Sequence, residues 1–214
     1  MVEVKICGLN TAPTLAAAIS GGAKYLGFVF YPPSPRNINI SDFARLASAV
    51  PPNVKRVGLF VDANDDFIAR MIASARLDML QLHGAETPDR VTAVKKHFKL
   101  RVMKAIKVSS RADLRQAKRY EAVTDYLLFD AKAPKKMRSA LPGGNALTFD
   151  WHLLNGINWS KPWMLSGGLN ADNVAKAIQV TGARMVDVSS GVEENPGTKS
   201  RERISEFLKA VSAI

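Results

Sequence analysis

One thiol occurs in the whole chain, Cys7 in the segment KICGL, where it ends an apolar run and precedes a glycine. A free thiol titrates near about 8.5 and can act as a base or nucleophile where nearby positive charge lowers that value. Asp130 in LLFDAK closes another apolar run. A carboxyl group there can deliver a proton if burial or a neighbouring negative charge keeps it protonated. Arg36 follows Ser34-Pro35 in the stiff turn PPSPR, and its planar fork suits a carboxylate. His83 in LQLHG could orient a sugar, hydrogen-bond near Cys7, or be a satisfied structural histidine. Each of the other three also has a plain alternative: Cys7 as a small buried hydrophobe, Asp130 as a turn cap, Arg36 as a solvated loop cation.

Two segments near the C-terminal end point to an anion. LSGGL carries Gly167 and Gly168, and DVSSGVE carries Ser189, Ser190 and Gly191. Glycine lets backbone N–H groups approach a phosphate closely, and a helix start behind each loop would add a favourable dipole. One such loop reads equally as a turn; two closing consecutive strands read as a phosphate cradle. No His, Cys and Asp residues share metal-ligand spacing and no GxGxxG follows a strand, so neither a metal nor another cofactor is expected.

The elements that must position these residues are eight short apolar runs: VEVKI, YLGFVF, VGLFV, LDMLQL, RVMKAI, DYLLF, PWMLS and MVDVS. Helical spacing lies between them, as in Ile68, Met71, Ile72 and Ala75, in Val174, Ala177, Ile178 and Thr181, and in Ile204, Phe207, Leu208 and Val211. Ser41 with Asp42, Asn64 with Asp65 and Asp66, Thr87 with Pro88, and Asn170 with Asp172 mark helix starts. Strands alternating with helices predict parallel pairing through right-handed crossovers, and eight units in one domain of 214 residues predict a closed (β/α)8 TIM barrel. A doubly wound open sheet is the competing arrangement. In a parallel barrel the site forms at the C-terminal strand ends, which also bear Gln81, Lys104 and Ser166. Strand alternation puts Lys5 and Cys7 on one face, opposite Val2, Val4 and Ile6; if the latter pack outward, Cys7 points into the barrel mouth.

The net charge of +11 is compatible with nucleic acid, a membrane surface or an anionic small substrate. The basic residues are scattered, and the densest group (Lys132, Lys135, Lys136, Arg138) has no interleaved aromatics and reads as a solvated loop. The apolar runs are too short to span a bilayer and the N-terminus lacks a signal-peptide pattern, so a cytoplasmic protein is expected, consistent with a single unpaired cysteine. Helices with polar outer faces favour a monomer.

KICGL, PPSPR, LQLHG, LFDAK, GGNALTFDW, LSGGLNADNV and VDVSSGVEENPGTKS together resemble the phosphoribosylanthranilate isomerase family of tryptophan biosynthesis, in the family's order from residue 3 to about residue 200. Two departures are the extra lysines of residues 131 to 147 and the serine after Lys199, where the family more often has an acidic residue. The resemblance implies an Amadori rearrangement of N-(5-phosphoribosyl)anthranilate, with Asp130 as general acid and Cys7 as general base. It also implies an anionic small-molecule substrate whose carboxylate meets Arg36. Related phosphate barrels, an aminoaldose isomerase with two aspartates or an indole-forming synthase with Lys and Glu catalysts, fit less well: the first needs no Cys7, and no Glu closes an early strand to match Lys104. A non-catalytic barrel binding nucleic acid would call for clustered basic residues and stacking aromatics.

Overall fold

The eight apolar runs become β1 (Glu3–Cys7), β2 (Tyr25–Phe30), β3 (Lys55–Phe60), β4 (Met79–Leu82), β5 (Arg101–Val108), β6 (Tyr126–Ala131), β7 (Trp163–Leu165) and β8 (Met185–Val188). In the computed structural model, which describes residues 1–134 and 141–214, they pair in parallel in chain order and β1 closes on β8. This is the (β/α)8 barrel, and closure removes the open-sheet alternative. Lys135, Lys136 and Arg138 of the basic loop lie outside the described residues.

The outer layer holds α1 (Ala12–Ser20), α2 (Ile40–Ser48), α3 (Asp65–Ser74), α4 (Pro88–Phe98), α5 (Arg111–Ala117), α6 (Val174–Thr181) and α7 (Arg201–Ser212). Caps explain most of their starts: Asn64 accepts from the Phe67 N–H at 2.9 Å and Thr87 from Arg90 at 3.2 Å. Two starts differ from expectation. Asn39, not Ser41, caps α2 by accepting from Asp42 N–H at 2.8 Å, and the Ser41 hydroxyl donates to Asn39. Asn170 organises the turn before α6 by accepting from the N–H groups of Asp172 and Asn173, so the helix begins only at Val174. Between β6 and β7 the described residues contain a single 3-10 turn, Trp151–Leu154, where the repeat predicts a helix; Pro142, Gly143 and Gly144 leave no helical period there. After β8 the chain forms a short 3-10 turn (Ser190–Val192) and an antiparallel hairpin, β9 (Glu193–Asn195) and β10 (Thr198–Lys199), before α7.

Strand parity divides the core in two. Val4, Ile6, Leu26, Phe28, Val102 and Val186 face outward and pack under the helices, where α7 contributes Ile204, Phe207, Leu208 and Val211. Full burial of each such side chain is worth about 1.5–3 kcal/mol. The alternate residues face the barrel axis. Tyr25, Val57, Met79, Met103, Leu128, Met164 and Met185 fill its lower part, while Cys7, Val29 and Leu59 lie above them.

Candidate active site

The C-terminal strand ends surround a cleft open to solvent, lined by both apolar and polar side chains. Cys7 from β1 and Asp130 from β6 both line it, as do Arg36, His83, Gly167, Gly168, Ser189 and Ser190. Of the sequence-predicted residues, Gly191 sits just behind the wall. It holds the lining together: a Cβ at Gly191 would run into the backbone of Leu169, so the two glycine loops lean directly on each other.

Asp130 is anchored at both oxygens. Oδ1 accepts from the Ala131 N–H at 2.9 Å, and Oδ2 lies 3.2 Å from His83 Nε2. On the other side of the imidazole, Gln81 Nε2 lies 3.0 Å from Nδ1. With the amide donating, Nδ1 accepts and the ring proton sits on Nε2, directed at Asp130. His83 therefore belongs to the carboxylate and not to the thiol, which answers one of the alternatives left by the sequence. Gln81 Oε1 is buried without a partner among the described residues.

Cys7 is 3% exposed, and it fits because β2 presents Gly27 opposite it: a Cβ at Gly27 would stand 2.8 Å from Sγ. Two residues deeper on the same strand face, fully buried Lys5 donates to Asp187 Oδ1 at 2.7 Å, and Asp187 Oδ2 accepts from the Ser166 hydroxyl at 3.0 Å. Burial pushes the Cys7 thiol up, Lys5 pulls it back, Asp187 pushes it up again and Lys199 lowers it; the balance leaves it above the ordinary thiol range. For Lys5, burial works against the charge, but Asp187 and then Cys7 outweigh it and hold the ammonium firmly protonated.

Arg36 is 5% exposed, and its fork is already on a carboxylate: Nε and Nη2 each donate to Glu193 at 2.7 Å, and Nη2 also donates to the Gly144 carbonyl at 3.1 Å. Among the described residues no acceptor meets Nη1. Lys199 also donates to Glu193 and to the Ser189 carbonyl, which ties the Arg36 turn to the second glycine loop. Burial would raise the Glu193 carboxyl, but Arg36 and Lys199 together hold it below the usual range.

In the first glycine loop, Gly167 and Gly168 have φ of 91° and 62°, a conformation that side chains rarely adopt. Among the described residues neither N–H meets a protein acceptor, so both remain available to an anion. The dipole expected behind each loop is weaker than the sequence suggests: α6 starts only at Val174, well beyond Gly168, and only a three-residue 3-10 turn follows Ser189.

Lys104 does not reach the mouth. Strand β5 runs on to Val108, so Lys104 is mid-strand and shares outward parity with Val102 and Ile106. It donates to Glu86 at 2.9 Å and to the carbonyls of Leu82 and Gly84, fixing the turn after His83. Sequence motifs do not mark Asp187, Glu193 or Lys199, nor a role for Lys5. The available signal was a charged residue at an inward position of an apolar strand, as in VEVKI and MVDVS. The serine after Lys199 accepts from Arg203 N–H as the cap of α7, so the departure at position 200 serves the helix start.

A thiol and a carboxyl group at one barrel mouth, with two glycine loops between them, mark a (β/α)8 barrel with a polar cleft at its C-terminal strand ends. The comparisons with known proteins are narrower. The family model for N-(5'-phosphoribosyl)anthranilate (PRA) isomerase matches residues 4–210, and the chain belongs to that family. It is 54% identical to the N-(5'-phosphoribosyl)anthranilate isomerase of Rhodospirillum centenum over 100% of this chain and 99% of that protein. Two solved structures align over the full length of both chains. One is a phosphoribosyl anthranilate isomerase in complex with reduced 1-(o-carboxyphenylamino)-1-deoxyribulose 5-phosphate (35% identity, TM-score 0.86). The other shows monomers generated from the dimeric isomerase of Thermotoga maritima (36% identity, TM-score 0.85). The reaction is the Amadori rearrangement of N-(5-phosphoribosyl)anthranilate to 1-(2-carboxyphenylamino)-1-deoxyribulose 5-phosphate, a step of tryptophan biosynthesis.

Proposed function

We propose that Asp130 is the general acid and Cys7 the general base of this rearrangement. Asp130 gives its proton to the ring oxygen as the bond from that oxygen to C1′ breaks, and the nitrogen lone pair forms the iminium. Cys7 then takes the C2′ proton, leaving an enolamine that becomes the ketone when C1′ gains a proton and the C2′ hydroxyl loses one. One carbon-bound hydrogen is lost at C2′ and one gained at C1′, so no oxidant or reductant is needed. The observation that carries this reading is that Cys7 and Asp130 line one cleft from two well-separated strands, β1 and β6, with the loops after β7 and β8 between them.

The substrate's phosphate lies against Gly167, Gly168, Ser189 and Ser190, with Gly191 behind them holding the two loops together, and its aromatic ring lies against Val29, Leu59 and Val61, beside Arg36. With its fork on Glu193, Arg36 offers Nη1 to the anthranilate carboxylate. His83 holds Asp130 in place and faces the sugar. The net charge of +11 then serves to draw in a substrate with two anionic ends, without a nucleic acid or membrane partner. Among the described residues no helix is long and apolar enough to cross a membrane; a cytoplasmic site of action is proposed from the reaction, a step of tryptophan biosynthesis.

The large apolar side chains left exposed among the described residues are Met1, Ile40 and Ile214, which supports a monomer; a dimer in sedimentation velocity would overturn that. The test of function is loss of phosphoribosylanthranilate fluorescence with the purified chain. Turnover by Cys7→Ala near that of the unmodified protein would remove the base assignment, and the same outcome for Asp130→Asn would remove the acid.

A further inference from the structure

We propose that Lys5 is a positioning residue for Cys7: its ammonium, held by Asp187 in the dry interior of the barrel, is the buried counter-charge of the thiolate that takes the C2′ proton. The proposal rests on the reading of Cys7 as the base. Lys5 and Cys7 are alternate residues of β1, so both side chains face the axis, about 7 Å apart along the strand. Lys5 is fully buried, and a lone ammonium cannot stay charged there without a fixed anion. Asp187 supplies that anion at 2.7 Å, and its second oxygen is fixed by the Ser166 hydroxyl at 3.0 Å.

The pair is not needed as filler. The lower barrel interior is packed with Tyr25, Val57 and four methionines, and an apolar side chain at position 5 would extend that plug. A buried ion pair gains little over well-packed apolar residues, so its placement immediately below the thiol calls for another use. The charged or titratable groups facing Cys7 are Lys5 on its own strand, Asp187 on β8 and Lys199 on β10, with Arg36, His83 and Asp130 across the cleft. Of these, Lys5 acts on the thiol most strongly, ahead of Asp187 and Lys199. As the thiolate takes the C2′ proton and becomes neutral, the charge below it is unchanged, because the firmly protonated Lys5 neither gives nor takes a proton.

Cys7 is the only cysteine of the chain, so alkylation by iodoacetamide followed by mass spectrometry reports on it alone. In Lys5→Met the pH midpoint of alkylation is expected to rise by about one unit or more, a tenfold or greater loss of rate near neutrality. The ascending limb of kcat against pH should move with it, with KM little changed. Should Lys5→Met leave Asp187 unpaired and fail to fold, Lys5→Met/Asp187→Asn removes both charges. Its midpoint should still rise, because Lys5 acts on the thiol more strongly than Asp187 does. An unmoved alkylation midpoint in either folded variant overturns the proposal. A raised midpoint with an unmoved kcat profile upholds the pairing of Lys5 with the thiol and instead removes Cys7 as the base.

Discussion

The lower barrel interior and the barrel mouth are built from the same faces of the same strands, two residues apart, yet they obey opposite rules. Below, Met79, Met103, Met164 and Met185 fill space with flexible apolar chains and no polar partner is required. Above, apolar Val29 and Leu59 share the layer with polar side chains that are tied to one another: Gln81 to His83, His83 to Asp130, Ser166 to Asp187. The lower plug determines whether the barrel stands; the mouth determines what it does. The Lys5–Asp187 pair spans the boundary, so it is the place where stability and chemistry are hardest to separate.

That contrast can be broken most sharply at the mouth. Cys7→Ala and Asp130→Asn should each lower kcat by about 100- to 10,000-fold, while thermal melting temperature and product-analogue affinity change little. A large loss of stability in both would mean that the mouth is a packing layer too. Met103→Ala, in the lower plug, should show the converse: a loss of about 2–5 kcal/mol in denaturant unfolding, with turnover per folded molecule preserved.

Glu193 tests the rim. Its carboxyl is held low in the folded protein by Arg36 and Lys199, against about 4.5 when unfolded. The stabilisation is therefore fully present above that value and lost as pH falls through the lower folded value. Glu193→Gln should cost about 2 kcal/mol near neutrality, and the gap to the unmodified protein should narrow in acid; a pH-independent gap would show that charge is not its role. The smallest expected effect is a displaced titration: because burial raises the Cys7 thiol, its alkylation midpoint in the unmodified protein should lie above that of a free thiol. A midpoint below it would show that Lys5 and Lys199 outweigh burial.

Strand periodicity revealed the barrel because its parallel strands read as apolar runs, and alternation aimed Cys7 correctly into the mouth. Asp130 and the glycine loops were legible for a related reason: they close such runs. The partners of Arg36 and Lys5 were not. Glu193 lies 157 residues from Arg36, and Asp187 lies 182 from Lys5, so only barrel closure brings them together. Lys104 misled because the length of β5, which decides whether a lysine is terminal or mid-strand, is not fixed by an apolar run that continues into Lys107 and Val108.

Gly27 touches no substrate in the proposed reaction and carries no functional group, yet the sulfur of Cys7 occupies the space its missing side chain leaves. Even an alanine there would force the thiol to move or β2 to shift. The enzyme's genetic vulnerability thus extends beyond residues that bear functional groups: a single-methyl change at Gly27, silent by any inventory of such groups, displaces the Cys7 sulfur or the strand beside it.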